Sequence, residues 1–136
     1  MAKSRGKVKK IPRVANNLRV SLDMQTTPWS VVIDESSGEN VVRRSGNMQV
    51  IKWYLVGNAA AGSFVRHKWL GKPPRGTFGP FLIDECCRKR ATMCDLYDAD
   101  TKYGQWAYQL TIELAGNQYS SLAPKSLAGS PNITNN

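Results

Sequence analysis

The chain has 136 residues, 19 Lys and Arg against 10 Asp and Glu, a formal net charge of +9 and 41% hydrophobic residues. This length fits one domain, and no apolar run approaches the roughly 20 residues that a membrane-spanning helix needs. The three cysteines are an odd number, which excludes a fully paired set of disulfides within one chain. We therefore expect a soluble protein of a reducing, cytoplasmic compartment, with no signal peptide because the charged start lacks an apolar core.

The first element in chain order is a basic arm. Seven Lys and Arg residues fall in positions 1–19 with no Asp or Glu, whereas residues 20–136 carry twelve basic and ten acidic side chains. The arm has no aromatic residue, so it suits sequence-independent contact with a phosphate backbone. The alternative is a solvated tail that keeps a near-neutral body soluble. The predicted polyanion contacts in the arm are Lys3, Arg5, Lys7, Lys9, Lys10 and Arg13, and the predicted limits are 1–16 for the arm and 17–136 for the folded domain.

Beyond the arm, alternation of apolar and polar residues predicts short strands. One stretch, 48–56, is apolar at both parities, which is typical of an interior strand covered on both faces. Residues 71–76 contain two glycines and two prolines and are predicted to form a loop. In the first 97 residues, the predicted strands are 18–24, 29–33, 48–56, 63–67, 80–83 and 90–97.

The clearest strand is 103–114, in which five large side chains recur at every second position. A helix would scatter them around its circumference, whereas a strand places them on one face of a sheet. The following Ala115-Gly116-Asn117 allows positive φ, so a return strand over 118–122 completes a hairpin. A short strand over 132–134 follows. The five large residues are Trp106, Tyr108, Leu110, Ile112 and Leu114.

The stretch 84–90 is open to two interpretations. Asp84 and Glu85 lead and basic residues follow, which suits the dipole of a single helical turn, but the stretch also suits a loop between two strands. Neither changes the fold class. Seven to nine short strands predict an all-β protein, a single antiparallel β-sandwich of Ig-like or jelly-roll type with at most one short helical turn.

The C-terminal strands also resemble a known group. Gly104, Trp106, Tyr108, Leu110 and Ile112 precede a turn, a strand bearing Tyr119 and the tripeptide 131–133, with Ser130 where the group favours Asp. This arrangement is similar to the C-terminal part of small bacterial β-sandwich proteins, the DP-EP group and the PixA/AidA-like inclusion-body proteins. The resemblance covers about the last thirty residues and implies a compact, non-enzymatic, self-associating sandwich.

The residue types that carry catalysis are sparse. His67 is the only histidine, so a triad or a multi-histidine metal site would depend on one ring. Cys86, Cys87 and Cys94 lack C-x-x-C spacing, so we expect free thiols, although the neighbouring cations favour a reactive Cys87.

An acidic cluster at Asp95, Asp98 and Asp100 lacks the later carboxylates of a calcium-binding EF-hand loop. Such side chains at the end of a strand are typically solvated turn residues. We therefore predict no metal, no cofactor and no catalytic residue, and we expect a protein that is not an enzyme.

Two further features suggest partners. A second basic group, Arg88, Lys89 and Arg90, extends the predicted polyanion contacts, with Arg43 and Arg44 elsewhere in the chain, and Trp69 beside the 71–76 loop is the predicted protein contact. We expect a binding or assembly protein that forms homo-oligomers, its arm contacting an anionic partner or a neighbouring subunit. The alternative is a sequence-independent nucleic-acid-binding or coat-like protein in which the arm neutralises phosphates.

Overall fold

In a computed structural model of the chain, the described residues are 15–42, 49–96, 104–121 and 131–135. They contain ten strands and one 3-10 turn, Gly57–Ala59, and within them no helix has the length and apolarity to cross a membrane. The predicted contacts Lys3 to Arg13, and Arg43 with Arg44, lie outside these residues. The strands are β1 (Ala15–Asp23), β2 (Ser30–Asp34), β3 (Val41–Val42), β4 (Gln49–Leu55), β5 (Ser63–Trp69), β6 (Leu82–Ile83), β7 (Arg90–Asp95), β8 (Gly104–Leu114), β9 (Asn117–Ser120) and β10 (Asn132–Asn135).

The first sheet has the strand order β2-β1-β4-β7-β6. β1 and β4 run parallel, and every other neighbouring pair is antiparallel. Leu18, Val20 and Leu22 of β1 alternate with polar residues and are buried, as period two requires of a strand with one wet face. β4 lies at the centre of this sheet, but Lys52 and Tyr54 on its outer face are only partly buried, so the strand is not covered on both faces as predicted.

The second sheet is organised by β8. β5 pairs along one edge of β8, while β9 and then β10 pair along the other edge, opposite residues 111–114 and 104–107 respectively. β3 continues this sheet as a parallel neighbour of β10. A bridge between Val31 and Ser121 joins the two sheets at β2.

The inner faces of both sheets contribute to one hydrophobic core. Trp53 of the first sheet and Phe64, Tyr108, Leu110 and Ile112 of the second are fully buried in it. The indole N–H of Trp53 donates to the hydroxyl of Tyr108 at 3.0 Å, so both polar tips are satisfied away from water. Burial raises the pKa of Tyr108 far above its usual value, which keeps this phenol protonated.

The all-β prediction is confirmed, but its finer form needs correction. There are ten strands in the described residues instead of seven to nine, and two of the pairings are parallel where antiparallel pairing was expected. The unpredicted strand Val41–Val42 is too short to have a period. Parallel pairing was also invisible in the sequence, because it depends on which distant segments meet. β1 begins at Ala15, two residues before the predicted domain boundary at 17.

The stretch between β6 and β7 is a loop that closes one turn. The backbone N–H of Arg88 donates to the carbonyl of Asp84 at 2.8 Å, and Arg88 itself has φ of 58°. The predicted hairpin turn has the expected backbone, with φ of 54° at Ala115 and 83° at Gly116. Both residues at the tip of the hairpin therefore lie in the left-handed region that Gly tolerates best.

Candidate anion-binding surface

A β-bulge in β5 decides which side chains reach the surface. With strict period two, Arg66 and Lys68 would share the inner face with buried Phe64. The register of β5 against β8 shifts between Phe64 and Arg66, which inserts one extra residue. As a result His67 and Trp69 turn towards the core, while Arg66 and Lys68 are exposed.

The loop that follows β5 is hydrogen-bonded to the end of β7. Thr77 is fully buried, its hydroxyl donates to the carbonyl of Pro74 at 2.6 Å, and its own carbonyl accepts from the N–H of Leu96 at 2.8 Å. Gly76 has φ of 85°, a conformation that costs Gly little. The loop therefore has a defined course although it contains neither helix nor strand.

Between this loop and two aromatic rings lies a cleft of about 280 Å³. The ring centroids of Trp69 and Phe78 are 4.8 Å apart, and Trp106 meets Phe78 edge-on at 5.7 Å. All three rings are partly buried. The residues that line the cleft are Trp69, Lys72, Pro73, Pro74, Arg75, Gly76 and Phe78.

The ring of His67 packs against Trp69, which lines the cleft, and against two further aromatic rings. Its ring stacks against Tyr108 at 4.9 Å and Phe81 at 5.2 Å, and it meets Trp69 edge-on at 4.6 Å. Burial lowers the pKa of His67 to about 4, so the ring is neutral at pH 7. In the part of the chain that the structure describes, nothing hydrogen-bonds to its Nε2. His67 is therefore part of the aromatic packing and adds no charge to the surface.

Four cations surround the cleft or lie on the strand that leads to it: Arg66, Lys68, Lys72 and Arg75, which we call the free cations. Within the described ranges, no acceptor lies at hydrogen-bond or ion-pair distance from these four side chains. Cations on an edge strand such as β5 also discourage pairing with another chain, which accounts for Arg66 and Lys68 without a ligand. Lys72 and Arg75 lie in the loop, where that explanation does not apply.

The cleft lies at the end of the fold from which the arm departs. Ala15 pairs with Val50 near the start of β4, and Phe78 bridges to Asp95, which itself pairs with Gln49. Three strand spacings of about 4.8 Å separate β1 from the Phe78 segment, or roughly 14 Å. The preceding 14 residues, if extended, reach up to about 45 Å. The arm, if extended, is therefore long enough to span the distance from β1 to the cleft.

A second predicted group lies away from the cleft, at the start of β7. It consists of Arg88, Lys89 and Arg90, which we call the turn cations. Arg88 donates to the carbonyl of Phe64 at 3.0 Å, Lys89 donates to the carbonyl of Ala60 at 2.7 Å, and Arg90 forms an ion pair with Asp84 at 3.2 Å. Arg90 begins β7 and Asp95 ends it, so about 17 Å of strand separates the turn cations from the cleft. The structure does not bring the two groups together.

Trp69, the predicted protein contact, is partly buried against the core. The most exposed tryptophan is Trp29, at 36%, which stacks on Tyr119 at 5.5 Å at the opposite end of the fold. Asp95 is fully buried, so its predicted role as a solvated turn residue is wrong, and Asn135 donates to it at 3.4 Å. The sequence does not reveal this burial, because a carboxylate at the end of a strand is typically a solvated turn residue.

Among the described residues, the thiols and the potential metal ligands do not form a further site. Cys86 and Cys87 are exposed and Cys94 is partly buried, and all three are free. Within the described ranges, no three His, Cys, Asp or Glu side chains come close enough to hold a metal ion. Asp98 and Asp100, of the predicted acidic cluster, lie outside the described residues.

A sequence signal for the free cations existed and was missed. Residues 40–83 contain no Asp or Glu. Because the charges are spread over 44 residues, they do not form a visible run, and only the fold gathers four of them near one cleft. The basic residues of this stretch are Arg43, Arg44, Lys52, Arg66, Lys68, Lys72 and Arg75.

Comparison with known proteins adds no name to this surface. No family model matches the chain, and no curated protein is similar to it.

Proposed function

We propose that this protein is a non-enzymatic binding protein of an Ig-like or jelly-roll sandwich type that holds a polyanion, nucleic acid in the first place, without reading its sequence. We assign it to a reducing compartment, in line with the odd number of cysteines. The observation that carries the proposal is the set of four free cations, two of which line the cleft and two of which lie on the strand that leads to it, at the end of the fold where the basic arm begins.

The physical basis is counterion release. Each phosphate that a Lys or Arg neutralises frees condensed counterions, which makes the affinity steeply dependent on salt. Arm and free cations together supply ten candidate contacts: Lys3, Arg5, Lys7, Lys9, Lys10, Arg13, Arg66, Lys68, Lys72 and Arg75. The turn cations remain predicted contacts of lower rank, because protein groups already engage them.

The proposal is tested by comparing the full chain with a chain that lacks residues 1–13. Binding of a fluorescent single-stranded oligonucleotide is followed by anisotropy over a range of salt concentrations. We expect the full chain to bind with a strong salt dependence, and the shortened chain to bind more weakly with a shallower slope. A full chain that does not bind at low salt contradicts the proposal, and an unchanged slope after deletion removes the arm from it.

Self-association is a second candidate, and a separate observation favours it. The β1–β2 hairpin exposes three apolar side chains, Met24 at 46%, Trp29 at 36% and Val32 at 41%. The resemblance of the C-terminal strands also implies it. Pairing through strand edges has less support, because the edge strands β3 and β6 are only two residues long and the longer edge strand β5 carries the exposed cations Arg66 and Lys68. We therefore assign the contact between copies to the exposed hairpin.

Solution mass tests this second candidate. We expect the unaltered chain to sediment as an oligomer that dissociates on dilution, and the double variant Met24→Ser and Trp29→Ser to sediment as a monomer. The absorbance ratio of the purified protein, measured in parallel, reveals any nucleic acid that links copies. A monomer at all concentrations contradicts self-association, and loss of the oligomer only after nuclease treatment assigns it to the polyanion.

A further inference from the structure

We infer that the cleft between the 71–76 loop and the Trp69–Phe78 pair receives an unpaired nucleobase, so that the preferred polyanion is single-stranded nucleic acid. This inference rests on the proposed function and deepens it. Charge alone would accept any polyanion, whereas an aromatic floor between cations selects a ligand that has flat apolar groups as well as phosphates.

The chemistry of the cleft supplies both parts of such a ligand. Trp69 and Phe78 form its apolar wall, and Lys72 and Arg75 line the same opening. Phosphates lie at regular intervals along a single strand with a base beside each, so a base against the rings leaves its neighbouring phosphates near the two cations. The faces of duplex bases are covered by stacking, which excludes them from this contact.

The rings are held in place before a ligand arrives. Trp69 is braced by His67 at 4.6 Å and by Tyr108 at 6.1 Å, and Phe78 is braced by Trp106 at 5.7 Å. The buried Thr77 fixes the adjacent backbone. A pre-oriented ring loses little conformational entropy on binding, so more of the stacking energy appears as affinity.

The decisive experiment compares ligands on the unaltered chain. Anisotropy competition at one salt concentration uses a short oligothymidylate, a strand of equal length without bases, a duplex of the same length and heparin. We expect oligothymidylate to bind at least about fivefold more tightly than the base-free strand, the lower end of what one stacked base contributes. Equal binding of these two strands overturns the inference and leaves the proposed function in place. Absence of binding to all four ligands overturns the proposed function itself.

A variant pair locates the effect. Phe78→Leu keeps an apolar side chain in the cleft but removes the ring, and Tyr54→Leu is the matched control, because Tyr54 is an equally half-buried ring that lies opposite Arg90, away from the cleft. We expect Phe78→Leu to lose most of the preference for oligothymidylate while binding the base-free strand as before. Tyr54→Leu should leave both affinities unchanged. If Phe78→Leu weakens both strands equally, or Tyr54→Leu abolishes the preference, the base does not stack in this cleft.

Discussion

The turn cations and the free cations are all Lys or Arg side chains, but only the turn cations contact protein oxygens in the described part of the chain. Arg88, Lys89 and Arg90 are consecutive in sequence, yet each has a protein partner between 2.7 and 3.2 Å away. Arg66, Lys68, Lys72 and Arg75 are spread over ten residues, and the described part of the chain gives none of their side chains a partner. Density of charge in a sequence therefore does not measure availability for binding. What matters is whether the fold places carbonyl or carboxylate oxygens beside the cations.

The largest expected effect comes from removing one group of cations at a time. The variant Lys68→Gln, Lys72→Gln and Arg75→Gln loses three charges from the free cations, and the variant Arg88→Gln, Lys89→Gln and Arg90→Gln loses three from the turn cations. At 50 mM salt, loss of three phosphate contacts weakens single-strand binding by about a hundredfold or more. The second variant should bind within a few-fold of the unaltered chain. Equal losses in the two would show that only total charge matters.

His67 sets the pH range in which the cleft is intact. Its pKa is about 4 in the fold and about 6.5 in an unfolded chain, so between these values the unfolded state binds more protons. Stability from neutral His67 is therefore fully present above pH 6.5 and is lost as the pH falls towards 4. The loss is about 3 kcal/mol.

The measurement is denaturant unfolding of the unaltered chain and of His67→Phe at several pH values. The difference between the two removes the contribution of carboxylates, which titrate in both. We expect the gap in unfolding free energy to change by about 3 kcal/mol between pH 7 and pH 4, in favour of the variant at low pH. A gap that does not change with pH would mean that His67 is not desolvated in the fold.

Arg88→Ala tests whether a turn cation stabilises the fold. The guanidinium that donates to the carbonyl of Phe64 is removed, while the residue keeps a Cβ at positive φ, so backbone strain stays constant. We expect the unfolding free energy to fall by about 1 kcal/mol, with single-strand affinity nearly unchanged. Arg66→Ala is the matched control and should change stability by less than about 0.5 kcal/mol. A larger loss of unfolding free energy in Arg66→Ala than in Arg88→Ala would contradict the stabilising role of the turn cation.

The smallest effect is expected when one turn cation, Arg90, loses its ion-pair partner. Asp84→Asn breaks the ion pair with Arg90 but keeps an oxygen for the N–H of Cys86. Because both side chains are partly exposed to solvent, the loss of stability should be about 0.5 kcal/mol or less. Single-strand affinity should rise more than in Glu85→Gln, which removes the same charge from an exposed residue whose side chain contacts no hydrogen-bond or ion-pair partner within the described part of the chain. Equal affinities would show that Arg90 is too far from the bound strand.

Much of the secondary structure was predictable, and the reason is local. In β8, Trp106, Tyr108, Leu110 and Ile112 alternate strictly, and any strand that buries one of them buries the rest. The hairpin turn at Ala115 and Gly116 was likewise predictable from the residue types next to it in the sequence. In β5 the local pattern was misleading, because Phe64, Arg66 and Lys68 share a parity and only the bulge separates them.

The candidate site was less predictable than the strands. Trp69 was singled out by its place beside a loop of glycines and prolines, and it does line the cleft with Lys72 and Arg75. Phe78 was not, because it belongs to no periodic segment, and its bridge to Asp95 depends on a strand pairing that the local sequence does not show. The burial of Asp95 was equally hidden, since its neighbour Asn135 is 40 residues away in sequence.

The order of residues alone was enough to predict that the chain is built of strands, that it starts with a basic arm and that positive charge prevails. These properties depend on the order of side chains along one segment and on simple counts. Which cations are engaged and which are free depends on the folded arrangement, because the partner of a cation is a carbonyl or carboxylate that strand pairing brings near from a distant segment. Both groups are exposed to solvent, but the turn cations contact protein oxygens, whereas Lys72 and Arg75 line a cleft beside two aromatic rings, and that difference arises from the fold.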